Sequence, residues 1–91
     1  MENKEIKIEL PEKEAEGTYA NFVGIGFNNA EFILDFIRIM PGLNKGKVFS
    51  RVIMTPQNVK SLLMSLENSV KQYEEKFGEI KFEKKDIKIG F

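Results

Sequence analysis

The chain has 91 residues and a mass of 10.5 kDa, 42% of them apolar and 11% aromatic, which is one domain at the small end of what folds unaided. Fourteen basic residues cancel fourteen acidic ones, a balance that argues against a dedicated nucleic-acid or anionic-membrane binder, whose affinity needs a cationic surplus. Cysteine and histidine are both absent, so disulfides, thiolate catalysis, Cys/His zinc sites and histidine acid–base chemistry are excluded together.

No apolar run reaches the ~18–20 residues of a membrane span, and the charged start does not read as a signal peptide. The expectation is a cytoplasmic protein. Residues 1–17 form a charged arm with six Glu and three Lys. Within it Ile6, Ile8 and Leu10 alternate with charges, the pattern of a short strand or strand-like arm, and Pro11 stops it. Residues 11–17 then read as a polar linker. The alternative for the whole arm is a disordered acidic leader.

From Thr18 the texture changes. Thr18 to Phe27 is rich in aromatic and β-branched residues, and so is Ala30 to Met40. Asn28-Asn29 between them predicts a two-residue hairpin, since Asn tolerates positive φ better than other non-glycine residues. Pro41-Gly42 and Lys45-Gly46 bracket a second turn, and Lys47 to Thr55 supplies a third strand. Thr55-Pro56 announces a helix, with Thr as N-cap and Pro at the first helical position. Val59, Leu63, Leu66, Val70, Tyr73 and Phe77 form one stripe, which Leu62 widens, and Gly78 stands where a C′ glycine ends a helix. In the tail, Ile80 with Phe82 and then Ile87, Ile89 and Phe91 alternate weakly, as an edge strand or a frayed end would.

The expected fold is therefore α+β: an antiparallel meander of three strands, or of four if the arm or the tail adds one, packed by one long C-terminal helix. The domain boundaries are 1–17 for the arm, 18–80 for the α+β domain and 81–91 for a charged tail.

A two-residue turn would pair Phe27 with Ala30, Ile25 with Phe32, Val23 with Leu34 and Asn21 with Phe36. One face then carries Val23, Ile25, Phe27, Phe32, Leu34 and Phe36, to which the third strand adds Val48, Val52 and Met54. This first face matches the helix stripe. The second face is also apolar: Ala20, Phe22, Gly24, Gly26, Ile33, Ile37 and Ile39, with Phe49 and Ile53 from the third strand. An antiparallel sheet with one solvated face should alternate apolar and polar residues, and this one does not. One helix covers one side, so the second face calls for another cover, and self-association is the simplest. Phe22, Ile33, Asp35, Ile37, Phe49, Arg51 and Ile53 are the interface candidates. Asp35 and Arg51 fall opposite one another if Ile37 faces Phe49, either as an ordinary cross-strand ion pair or as a register-fixing one. The chain has two arginines, Arg38 and Arg51, against twelve lysines, and both lie in the sheet region, where a planar fork differs from a point charge.

Little else suggests chemistry. Gly24-Ile25-Gly26 is a GxG, but Asn29 stands where a third glycine would be and no helix follows, so close approach by another backbone is the better reading. Ser61, Ser65 and Ser69 lie on the helix without a base, and the only aspartates are Asp35 and Asp86. Phe22, Phe32, Phe36 and Phe49 on a small sheet resemble base-stacking aromatics, but Glu31 and Asp35 stand among the nearby cations and a positive groove is lacking. We expect no catalysis, no catalytic residues, no cofactor and no metal, and neither nucleic acid nor membrane as a partner.

The segments 16–21 (Glu-Gly-Thr-Tyr-Ala-Asn), 31–36 (Glu-Phe-Ile-Leu-Asp-Phe), Pro41-Gly42, 50–56 (Ser-Arg-Val-Ile-Met-Thr-Pro), Tyr73-Glu74 and 77–80 (Phe-Gly-Glu-Ile) together resemble an uncharacterised prokaryotic family of small proteins, domain of unknown function 3467. The resemblance spans Ile8 to Ile80. Some bacterial relatives in that family are encoded beside the large RNA polymerase subunits, which implies a transcription-associated partner as one reading. The order meander-then-helix is also similar to the SecB type of export chaperone, whose sheets pair subunits into dimers and dimers of dimers; that likeness is one of architecture alone. The functional expectation is a homo-oligomeric protein-interaction module, dimer or dimer of dimers, chaperone- or adaptor-like and binding a protein partner. The alternative is an accessory factor of the transcription machinery.

Overall fold

Runs of β-branched and aromatic residues become strands where turns can close them. In the computed structural model, which describes residues 4–83 and 90–91, the strands are β1 (Phe22–Phe27), β2 (Phe32–Met40) and β3 (Lys45–Met54). A short helix, α1 (Glu12–Ala15), precedes them and a long one, α2 (Pro56–Phe77), follows. The strands form one antiparallel sheet in the order β1-β2-β3, so the class is α+β as expected. The chain divides into two compact units, one ending at Thr55 and one beginning at Pro56.

The first hairpin corrects the sequence reading. Phe27 pairs with Phe32, Ile25 with Leu34 and Val23 with Phe36, so the loop is the four residues 28–31 rather than two. The cause is the side chain of Asn28. Its Oδ1 accepts hydrogen bonds from the backbone N–H groups of Ala30 (2.8 Å) and Glu31 (3.0 Å), while its own N–H donates to the Glu31 carbonyl at 3.0 Å. This Asx turn satisfies the loop without positive φ, which among the described non-glycine residues only Asn44 adopts. Because the register moves by two residues, no side chain changes face. The stacked rings of Phe27 and Phe32, 5.4 Å between centroids, close the hairpin end.

At the other end of β1, Asn21 continues the ladder with its side chain. Its Nδ2 donates to the Ile39 carbonyl (3.0 Å), its Oδ1 accepts from the Ile39 N–H (2.8 Å), and its N–H donates to the Ile37 carbonyl (3.0 Å). The second turn runs through Pro41-Gly42. Gly42 has φ +79°, and the Leu43 N–H donates to the Met40 carbonyl at 3.3 Å, the geometry of a type II turn with Pro and Gly at its two centres. Lys45 and Gly46 belong to β3, pairing with Met40 and Ile39, and not to the turn as expected.

Helix α2 begins at Pro56 and ends where Gly78 takes φ +99°; the Gly78 N–H donates to the Glu74 carbonyl at 2.9 Å. The Glu74 carboxylate accepts the Ile80 N–H at 2.9 Å and so ties down the residues just beyond. No residue of α2 is buried, and its apolar stripe from Leu63 to Phe77 is exposed. Among the described residues no helix is long and apolar enough to cross a membrane.

The arm corrects two further expectations. Ile6, Ile8 and Leu10 are exposed and form no strand, and residues 12–15 of the expected linker are helical. Ile80 and Phe82 form no strand either, while Asp86, Ile87 and Ile89 lie outside the described residues. The sheet therefore has three strands among the described residues.

Replacing Asn21 by Ala should cost about 1–2 kcal/mol, since two neutral hydrogen bonds are lost at the sheet's end. Urea denaturation gives the stability, and faster hydrogen exchange at the Ile39 amide identifies the bond that was broken.

Candidate functional site

The central strand sets both faces. On the first face, Phe32, Leu34 and Phe36 of β2 are flanked by Phe27, Ile25 and Val23 of β1, and by Met54, Val52 and Ser50 of β3. On the second, Ile33, Asp35 and Ile37 are flanked by Gly26, Gly24 and Phe22 on one side. Ile53 and Arg51 stand against Ile33 and Asp35 on the other. Phe22, Ile33, Asp35, Ile37, Arg51 and Ile53 thus share the second face, as the sequence indicated.

Phe49 is different. The register shifts by one between Phe36 and Ile37, so Phe36 meets Ser50 while Ile37 meets Val48, and Phe49 is the extra residue of a β-bulge. Val48, expected on the first face beside Val52, stands against Ile37 on the second. Phe49 remains exposed, with the Lys47 ammonium 5.3 Å from its ring centroid.

Asp35 and Arg51 stand directly opposite one another and form a side-on fork: Arg51 Nε donates to Oδ1 at 2.7 Å and Nη2 to Oδ2 at 2.9 Å. The two ends differ in environment. The Asp35 side chain is 6% exposed and that of Arg51 56%, so a buried carboxylate is answered by a cation that reaches in from the edge strand. These hydrogen bonds hold the Asp35 carboxyl below the usual carboxylate range, against the opposite push of burial, and the guanidinium charge adds to them. The same contact raises Arg51 further above its ordinary value.

Three glycines line the second face opposite β2 side chains: Gly24 at Asp35, Gly26 at Ile33 and Gly46 at Ile39. At Gly46 the requirement is steric, because a Cβ would stand 3.3 Å from Ile37 Cγ2 and 3.6 Å from Ile39 Cγ1. Ile37 is itself buried at 5% exposure, so it belongs to the chain's own core more than to its surface.

On the first face Ile25 and Phe27 are 63% and 75% exposed, and Val23 and Val52 are exposed beside them. Ile53, 57% exposed, supplies exposed apolar area of the second face. The edge strand Phe22–Phe27 carries no charged or polar side chain.

A family profile described as "Protein of unknown function (DUF3467)" matches residues 1–82. No curated protein and no solved structure matches the chain.

The depressed pKa gives the Asp35–Arg51 pair a definite pH signature. Its contribution is complete above the unfolded carboxylate value, about 3.9, and is lost as pH falls through the lower folded value. In urea titrations from about pH 2 to pH 7, Asp35→Asn should flatten the acid limb relative to wild type. Arg51→Ala should be worse than replacing both partners by apolar residues, since it leaves the buried carboxylate unanswered.

Proposed function

The chain belongs to the DUF3467 family, whose description assigns no function, and from the chain's own surface we propose that it acts as a homo-oligomeric protein-interaction module without catalytic activity. The observation that carries this reading is the sheet with apolar residues exposed on both faces. Among the described residues only Leu34 and Ile37 are buried apolar side chains, while twenty large apolar residues are exposed. Isolated exposed apolar side chains are ordinary, but contiguous ones on a sheet mark a surface made to be covered.

Apolar area left over after assembly would bind a protein partner, which is the chaperone- or adaptor-like part of the proposal. The absence of histidine and cysteine favours binding over catalysis.

Light scattering after size exclusion tests the proposal, with an expected mass of two or four times 10.5 kDa. A folded species of single-chain mass across the micromolar range would overturn it. Ile53→Asp, at an exposed position, should weaken association at least ~10-fold with circular dichroism unchanged. Ile37→Asp should unfold the chain, because it places a charge in the core.

A further inference from the structure

The two outer strands of the sheet are chemically unlike. β3 carries Lys45, Lys47 and Arg51 and the bulge at Phe49, devices that blunt an edge against pairing. β1, Phe-Val-Gly-Ile-Gly-Phe, has no charge, no proline and an unbroken register with β2. Among the described residues nothing pairs with its outer side.

The phase of its backbone is fixed. The Asn28 N–H donates to the Glu31 carbonyl, and in an antiparallel ladder bonded pairs recur every second residue, at Gly26 with Ile33, Gly24 with Asp35 and Phe22 with Ile37. The N–H and C=O groups of Val23, Ile25 and Phe27 therefore face away from β2. These are also the β1 residues whose side chains are exposed on the first face.

We propose that β1 pairs with β1 of a second copy of this chain, antiparallel about a two-fold axis at Ile25, to make one continuous six-stranded sheet. This rests on the homo-oligomer reading above and names its primary contact. The register is self-complementary: Ile25 meets its own copy and Val23 meets Phe27, so every outward donor finds an outward acceptor. Paired residues share a face, which gathers Val23, Ile25 and Phe27 from both copies into one apolar cluster. In the intervening positions Gly24 meets Gly26, a non-bonded pair whose backbones come closest, and a Cβ at Gly26 would find open space. The blunted β3 disfavours head-to-tail pairing, which would propagate a filament, and leaves the closed pair.

Hydrogen exchange on the full chain, alongside light scattering, tests this at the backbone. In the oligomer the amides of Val23, Ile25 and Phe27 should exchange at least ~100-fold more slowly than unprotected amides, and lose that protection on dilution to monomer. Ile25→Pro removes an outward N–H and no bond to β2, so it should raise the dissociation constant about 100-fold or more, while Ile25→Val stays near wild type. A monomeric wild type overturns both this proposal and the homo-oligomer reading. An oligomer with fast-exchanging β1 amides, or one that survives Ile25→Pro unchanged, overturns the edge pairing alone. Protection that does not depend on concentration also overturns it, since β1 would then be covered by its own chain. If Ile25→Pro fails to fold, the exchange data on the wild type decide.

Discussion

A carboxylate buried on the middle strand of a three-stranded sheet admits one register. Asp35 has Gly24 on one side, which brings no side chain, and Arg51 on the other, which brings two hydrogen bonds and a charge. A slip of β3 by one residue would set Ser50 or Val52 against Asp35 and turn every apolar side chain of that strand to the other face. The unanswered buried charge would make such a slip costly. Lysine would supply the charge without the planar fork that holds both carboxylate oxygens at once. The ion pair contributes little as an isolated surface interaction; its weight lies in the alternatives it removes.

Around that fixed point, burial falls off quickly. Leu34 and Ile37 are buried on β2, and outward from them most apolar side chains of β1 and β3 are exposed, with Phe22, Val48 and Met54 half-buried. The sheet is thus completed at its centre by its own chain and left open at its margins. A domain of this size has little core to spare. In the oligomer proposed above, folding and assembly would be linked, with protomer concentration entering both.

The element order, the helix from Pro56 to Gly78 and the opposition of Asp35 and Arg51 were legible because each rests on local signals: a proline at a helix start, a glycine at its end, period-2 alternation between turns. The first hairpin was misread because Asn has two ways to make a turn, and Asn28 used its side-chain oxygen instead of positive φ. Lys45 and Gly46 looked like turn residues by type, but Pro41-Gly42 with Asn44 already completes the reversal. The short helix at residues 12–15 was hidden by polarity, which a four-residue element needs no apolar stripe to escape. Exposure was the least legible property. Alternation assigns a side chain to a face, and whether that face is covered depends on area elsewhere in the molecule.

The bulge on β3 has a consequence for how the gene can change. Removing Phe49 would leave Val48 against Ile37 and Ser50 against Phe36, a regular ladder with every other pairing intact. Removing a residue between Arg51 and Met54 would instead carry one half of the strand out of phase with β2, either parting Arg51 from Asp35 or turning Ile53 and Met54 to the wrong faces. The strand accordingly has one point at which a single-codon deletion is silent in the pairing, and it lies just short of the ion pair that forbids such a change beyond it.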